Sequence, residues 1–91
     1  MKNIAEITAI LERISELLRI GGKNEWAERI DQYRSELPGD TAHAISKIIT
    51  LYGGLGSIND IVLYSNGQPM IQENNELDQL LSKLHDRCVG S

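Results

Sequence analysis

Ile4, Ile7, Leu11, Ile14 and Leu18 recur at alternating steps of three and four, and Ile10 and Leu17 widen the stripe. That spacing lines one face of an α-helix and predicts helix from Lys2 or Asn3 to Ile20, closed by Gly21-Gly22. Asn24 is expected to cap a second helix, along which Trp26, Ile30, Tyr33 and Leu37 repeat until Pro38-Gly39 stops it. The opposite face carries Glu25, Glu28, Arg29, Asp31 and Arg34 and reads as wet. A link as short as Gly21-Gly22-Lys23 predicts that the two helices are antiparallel neighbours. Asp40 is expected to cap a third helix that ends at Gly53-Gly54. Its broad apolar surface, Ala44, Ile45, Ile48, Ile49, Leu51 and Tyr52, predicts a central position.

Beyond Gly56 the pattern is shorter and less regular. Ser57 and Asp60 stand in the serine-x-x-acid arrangement of a capped turn and predict a short helix from Ser57 to about Leu63. Tyr64 to Asn75 reads as a connection, because Ser65-Asn66-Gly67 has turn chemistry and Pro69 lacks an amide hydrogen. The alternative is a small hairpin around Asn66-Gly67, weakened by Pro69 in its second arm. Asn74 or Asn75 is expected to open a last helix whose inward stripe is Leu77, Leu80, Leu81, Leu84 and Cys88. The whole predicts an all-α fold, a single helical domain over residues 1–91: a compact bundle of four main helices plus one short helix.

Charge alters this picture by its placement. The first 47 residues are nearly balanced, with seven basic and eight acidic side chains, whereas no lysine or arginine lies between Lys47 and Lys83. Asp60, Glu73, Glu76 and Asp78 fall in that interval and equal the whole net charge of −4. A base-free acidic half disfavours nucleic acid and anionic membranes as partners and favours a basic protein, although a solvated acidic face gives the same pattern. Asp60, Glu73, Glu76 and Asp78, with Tyr64 as an aromatic anchor, are therefore the candidate partner-binding residues. The early acids Glu6, Glu12 and Glu16 leave no export signal, no apolar run reaches membrane-spanning length, and Cys88 is the single cysteine. A cytoplasmic location is expected.

Candidate catalytic chemistry is sparse. His43 and His85 lie 42 positions apart and the sole cysteine cannot complete a four-ligand zinc site, so no metal, cofactor or small-molecule substrate is expected. Gly53-Gly54-Leu55-Gly56-Ser57 lacks the lysine of a phosphate loop and the flanking glycines of a nucleophile elbow. Gly53, Gly54, Gly56, Ser57 and Asn59 read instead as a structural turn. Trp26 lies on an apolar stripe and reads as core, with an interface anchor as the alternative. Tyr33, Tyr52 and Tyr64 divide in the same way between core edge and interface. An enzyme is not expected.

The string from Leu51 to Leu63, Leu-Tyr-Gly-Gly-Leu-Gly-Ser-Ile-Asn-Asp-Ile-Val-Leu, followed by Asn74-Asn75-Glu76-Leu77-Asp78-Gln79-Leu80-Leu81, resembles a family of small helical bacterial proteins. These are immunity proteins of contact-dependent growth inhibition and related polymorphic toxin systems. Trp26-Ala27 is a further point of agreement, and the resemblance covers essentially the full chain. It implies a cytosolic antidote that binds and neutralises the C-terminal toxin domain of a neighbouring cell's surface protein. For this form it suggests an RNA-cleaving nuclease of the EndoU type. The reading from another class is a helical adaptor or regulatory module with no toxin partner.

Overall fold

A computed structural model describes residues 3–53 and 56–90. Four α-helices account for most of them: α1 (Ile4–Ile20), α2 (Asn24–Glu36), α3 (Thr41–Thr50) and α4 (Ile71–Val89). A 3₁₀ turn covers Ile58–Asp60, and a two-stranded antiparallel hairpin pairs β1 (Tyr64–Ser65) with β2 (Gln68–Pro69). The architecture is all-α with one small hairpin. Lys2, Gly54 and Leu55, on which parts of the first helix and of the glycine turn were expected, lie outside the described residues.

α1 begins close to where its start was expected, and Asn3, which was not expected as a cap, caps it, with Oδ1 accepting from the Glu6 amide at 3.0 Å. It closes in a Schellman arrangement, in which the Lys23 amide donates to Leu18 O at 2.7 Å and the Gly22 amide to Arg19 O at 3.1 Å. Asp40 caps α3 through a long bond from the His43 amide, at 3.4 Å. Asn24 is not a cap, since it lies inside α2 and the residue before it makes no side-chain cap bond.

The central helix is α1, not α3 as the breadth of the α3 stripe suggests. α1 buries seven residues and α3 three. α1 packs against both α2 and α4, while α3 closes the far side of α2 and α4. Ile7, Leu11, Ile14, Leu17 and Leu18 of α1 meet Ala27 and Ile30 of α2, Leu37 just after it, Ala44 and Ile48 of α3, and Leu77 and Leu84 of α4 in one apolar cluster. Breadth on α3 is explained by partial burial, because Ile49 and Tyr52 rest on the cluster without being enclosed by it.

Two further expectations change in the second half. The short helix is a single 3₁₀ turn and ends at Asp60, not near Leu63. Ser57 makes no side-chain cap bond there, and Asp60 Oδ2 instead accepts from the Gly56 amide at 2.9 Å. The hairpin forms, with Asn66 at φ 54° and Gly67 at φ 78°, the sign needed for a tight two-residue loop. Pro69 is compatible with it because antiparallel pairs alternate. Tyr64–Pro69 falls on the rung that needs no amide donor, and the next rung is made by the Met70 amide donating to Leu63 O at 2.9 Å. α4 then starts at Ile71, before the asparagines expected to open it.

Gly56 has a structural reason to be glycine, since its φ of +75° is a region that a β-branched side chain enters only with strain. Gly56→Val is expected to lower the thermal midpoint by several degrees, measured by circular dichroism, although a Cβ there would meet nothing within 4 Å.

Candidate functional site

From the 3₁₀ turn the chain leaves in extended form, with Ile61 at φ −73° and ψ 131°. Successive side chains of an extended segment point to opposite sides. Ile61 is accordingly half-buried, Val62 is 41% exposed, Leu63 is fully buried and Tyr64 is 50% exposed. Ile71, in the first turn of α4, is 71% exposed.

Leu63 is held from three directions. Its amide donates to Asn74 Oδ1 at 2.8 Å, Asn74 Nδ2 donates back to Leu63 O at 3.0 Å, and its side chain lies over the turn between α1 and α2. A Cβ placed on Gly21 would stand 2.8 Å from the Leu63 Cβ, so that approach needs a glycine. These contacts fix Ile61 to Tyr64 as a ridge with a groove on each side. One groove, of about 390 Å³, is lined by Lys23, Trp26, Asp60 and Tyr64; the other, of about 310 Å³, by Asn59, Pro69, Ile71 and Asp78. Ile61 and Val62 line both.

The acids proposed from the sequence therefore separate. Asp60 and Tyr64 share the first groove, and Asn59 and Asp78 share the second. Glu76 faces α1, where its carboxylate takes two hydrogen bonds from Arg13, at 2.6 and 2.9 Å. Two helix positions apart is a rotation of about 200°, which puts Asp78 on the opposite flank of α4. Glu73 lies on the Arg13 side and within reach of its field. Among the described residues Asp60, Glu73 and Asp78 take part in no salt bridge. Of the structural-turn residues, Gly53 and Gly56 have positive φ and Ser57 is buried.

The Arg13 guanidinium holds the Glu76 carboxyl below its ordinary range, as Arg87 does for Glu6 and Lys47 for Glu36. A carboxylate whose folded pKa is depressed adds stability above its unfolded value and loses it as the pH falls through the folded value. Stability is therefore expected to hold down to about pH 4.5, the ordinary glutamate value, and to decline below it. Guanidinium titrations at stepped pH test this, and Glu6→Gln or Glu76→Gln should flatten the acid limb.

A third cleft, of about 390 Å³, lies between α4 and the end of α3 and is lined by Tyr52, Asn59, Asp78, Ser82, His85 and Asp86. Tyr52 stacks edge-on to His85 at 4.8 Å between ring centroids and donates its hydroxyl to Leu81 O at 2.8 Å. Burial pushes the Tyr52 phenol up, which makes it a poor proton donor or acceptor at neutral pH. Ser57 opens onto other clefts, away from His85. Among the described residues no three His, Cys, Asp or Glu side chains are grouped to hold a metal ion.

Trp26 divides its surface between core and solvent. It packs on the apolar cluster while the Arg29 guanidinium lies over its ring at 4.9 Å, a cation–π contact of adjacent helical turns. The residues that sequence reasoning missed are Val62 and Ile71. Val62 was hidden in an apolar run expected to be helical, and Ile71 in a stretch read as connection.

Among the described residues no helix is long and apolar enough to cross a membrane. No curated protein and no solved structure matches the chain. A family model described as a domain of unknown function, DUF6966, matches residues 19–71, a span from the end of α1 through α2, α3 and the hairpin to the first residue of α4. That span is 53 of the 91 residues, and the chain belongs to this family.

Proposed function

We propose that this protein is a cytoplasmic immunity protein that neutralises a nuclease toxin by direct contact, acting by binding and not by catalysis. The observation that carries the reading is the charge distribution: residues 48–82 contain four carboxylates and no lysine or arginine. Three of the four are in no salt bridge among the described residues. A nuclease has to attract phosphates, so its cleft is basic, and an acidic protein surface is drawn to it by the same field. The resemblance of the 51–63 and 74–81 segments to immunity proteins of contact-dependent growth inhibition supports the same partner. The substrate suggested for the toxin is RNA.

Coexpression tests this directly. The reading requires a large secreted protein encoded beside this chain, and the C-terminal domain of that protein is expressed in a sensitive host, with and without the chain. Restored growth together with a stable complex is the expected result. Arrested growth and no complex in the presence of the chain would dismiss the reading, as would a neighbouring frame that encodes no secreted protein.

A further inference from the structure

We infer that Val62, Tyr64 and Ile71 form the anchor of the partner-docking surface, and that its occupant is a protein presenting an apolar side chain flanked by lysine or arginine. The inference rests on the binding function proposed above and assigns it a place. Five large apolar side chains are well exposed among the described residues, and three of them fall within the ten positions from Val62 to Ile71. Exposed apolar residues scattered singly need no explanation, but a cluster of them does. Here they line two grooves that meet along one ridge.

The chemistry of the rim selects the occupant. Asp60 borders the groove beside Tyr64, Asp78 borders the groove beside Ile71, and Lys23 is the one cation lining either among the described residues. Neither carboxylate is in a salt bridge among the described residues. A second copy of the chain would bring these acids toward their own equivalents, and a nucleic acid would bring phosphates to them. A basic protein surface satisfies both the apolar ridge and the acidic rim. The ridge is also pre-formed, since Asn74 and Gly21 fix Leu63 in its middle, and a surface already ordered loses little entropy on binding.

The test measures binding of the purified, catalytically inactive toxin domain encoded beside the chain, by surface plasmon resonance at low and high salt. The Tyr64→Ala/Ile71→Ala double variant changes only exposed side chains, and its melting temperature is checked against the native chain. It should dissociate about 30-fold faster or more, the scale of a central anchor. Asp60→Asn/Asp78→Asn should associate more slowly at low salt and with a flatter salt dependence. Glu28→Ala, on the wet face of α2, should bind normally. If the native chain binds and the Tyr64/Ile71 variant stays within about twofold of it, the docking surface is overturned while the binding function stands. If the native chain does not bind, the function itself fails and the surface with it. A native dimer that the Tyr64/Ile71 variant abolishes would overturn the choice of occupant.

Discussion

Leu11→Ala is expected to cost about 2–5 kcal/mol, because Leu11 is fully buried at the middle of the central helix and the cavity left behind has packed neighbours on several sides. A chain of this length has roughly 5–15 kcal/mol of stability in all. The variant should therefore melt at least about 8 °C lower, taking about 4 °C per kcal/mol at the lower limit for a small domain. Ile49→Ala on α3 should cost clearly less, since Ile49 is only half-buried against the cluster. Chemical denaturation of the pair checks which helix is the centre of the fold. Equal losses, or a larger one at Ile49, would contradict an α1-centred core.

Asn74→Leu is the second large effect. The Asn74 amide satisfies both backbone groups of Leu63, and the Met70 amide also reaches Leu63 O, so the substitution leaves the Leu63 amide as the orphan. A part-buried donor without a partner costs about 1–3 kcal/mol. The same change releases the ridge that carries Val62 and Tyr64, so hydrogen exchange at the Leu63 and Met70 amides, which donate to Asn74 and to Leu63 O, should accelerate well beyond the change in global stability. Gly21→Val presses on Leu63 from the opposite side. The double variant should accordingly fall short of, or exceed, the sum of the singles, as neighbours sharing one partner do. Simple additivity would show that Leu63 is not the shared element.

What the sequence made legible was local. The α1 stripe, the Asp40 cap and the inward leucines of α4 follow from spacing and capping chemistry, and all are present. The misreadings involve partners far along the chain. Asn74 resembles a helix cap because asparagine favours caps, but its bonds are to Leu63, 11 residues back. Pro69 counts against a strand in isolation and not on the rung it occupies. Glu76 stands in the acidic half of the sequence, yet its partner Arg13 lies 63 residues away. Periodicity showed that α3 has a wide apolar surface, and only the packing of the other helices decides how much of it is enclosed. The same holds for the candidate site. Asp60, Tyr64 and Asp78 could be named from composition, whereas Val62 and Ile71 required knowing where the 3₁₀ turn ends and where α4 begins.

The most direct test of the central claim is an RNA cleavage assay with the purified neighbouring toxin domain, titrated with this protein. With the toxin domain at about 1 μM, roughly a thousandfold above the nanomolar Kd to which about −12 kcal/mol corresponds, one equivalent should abolish nearly all cleavage, since protection inside a cell requires binding of that order. Undiminished cleavage at a tenfold excess, with the two proteins eluting separately, would contradict it.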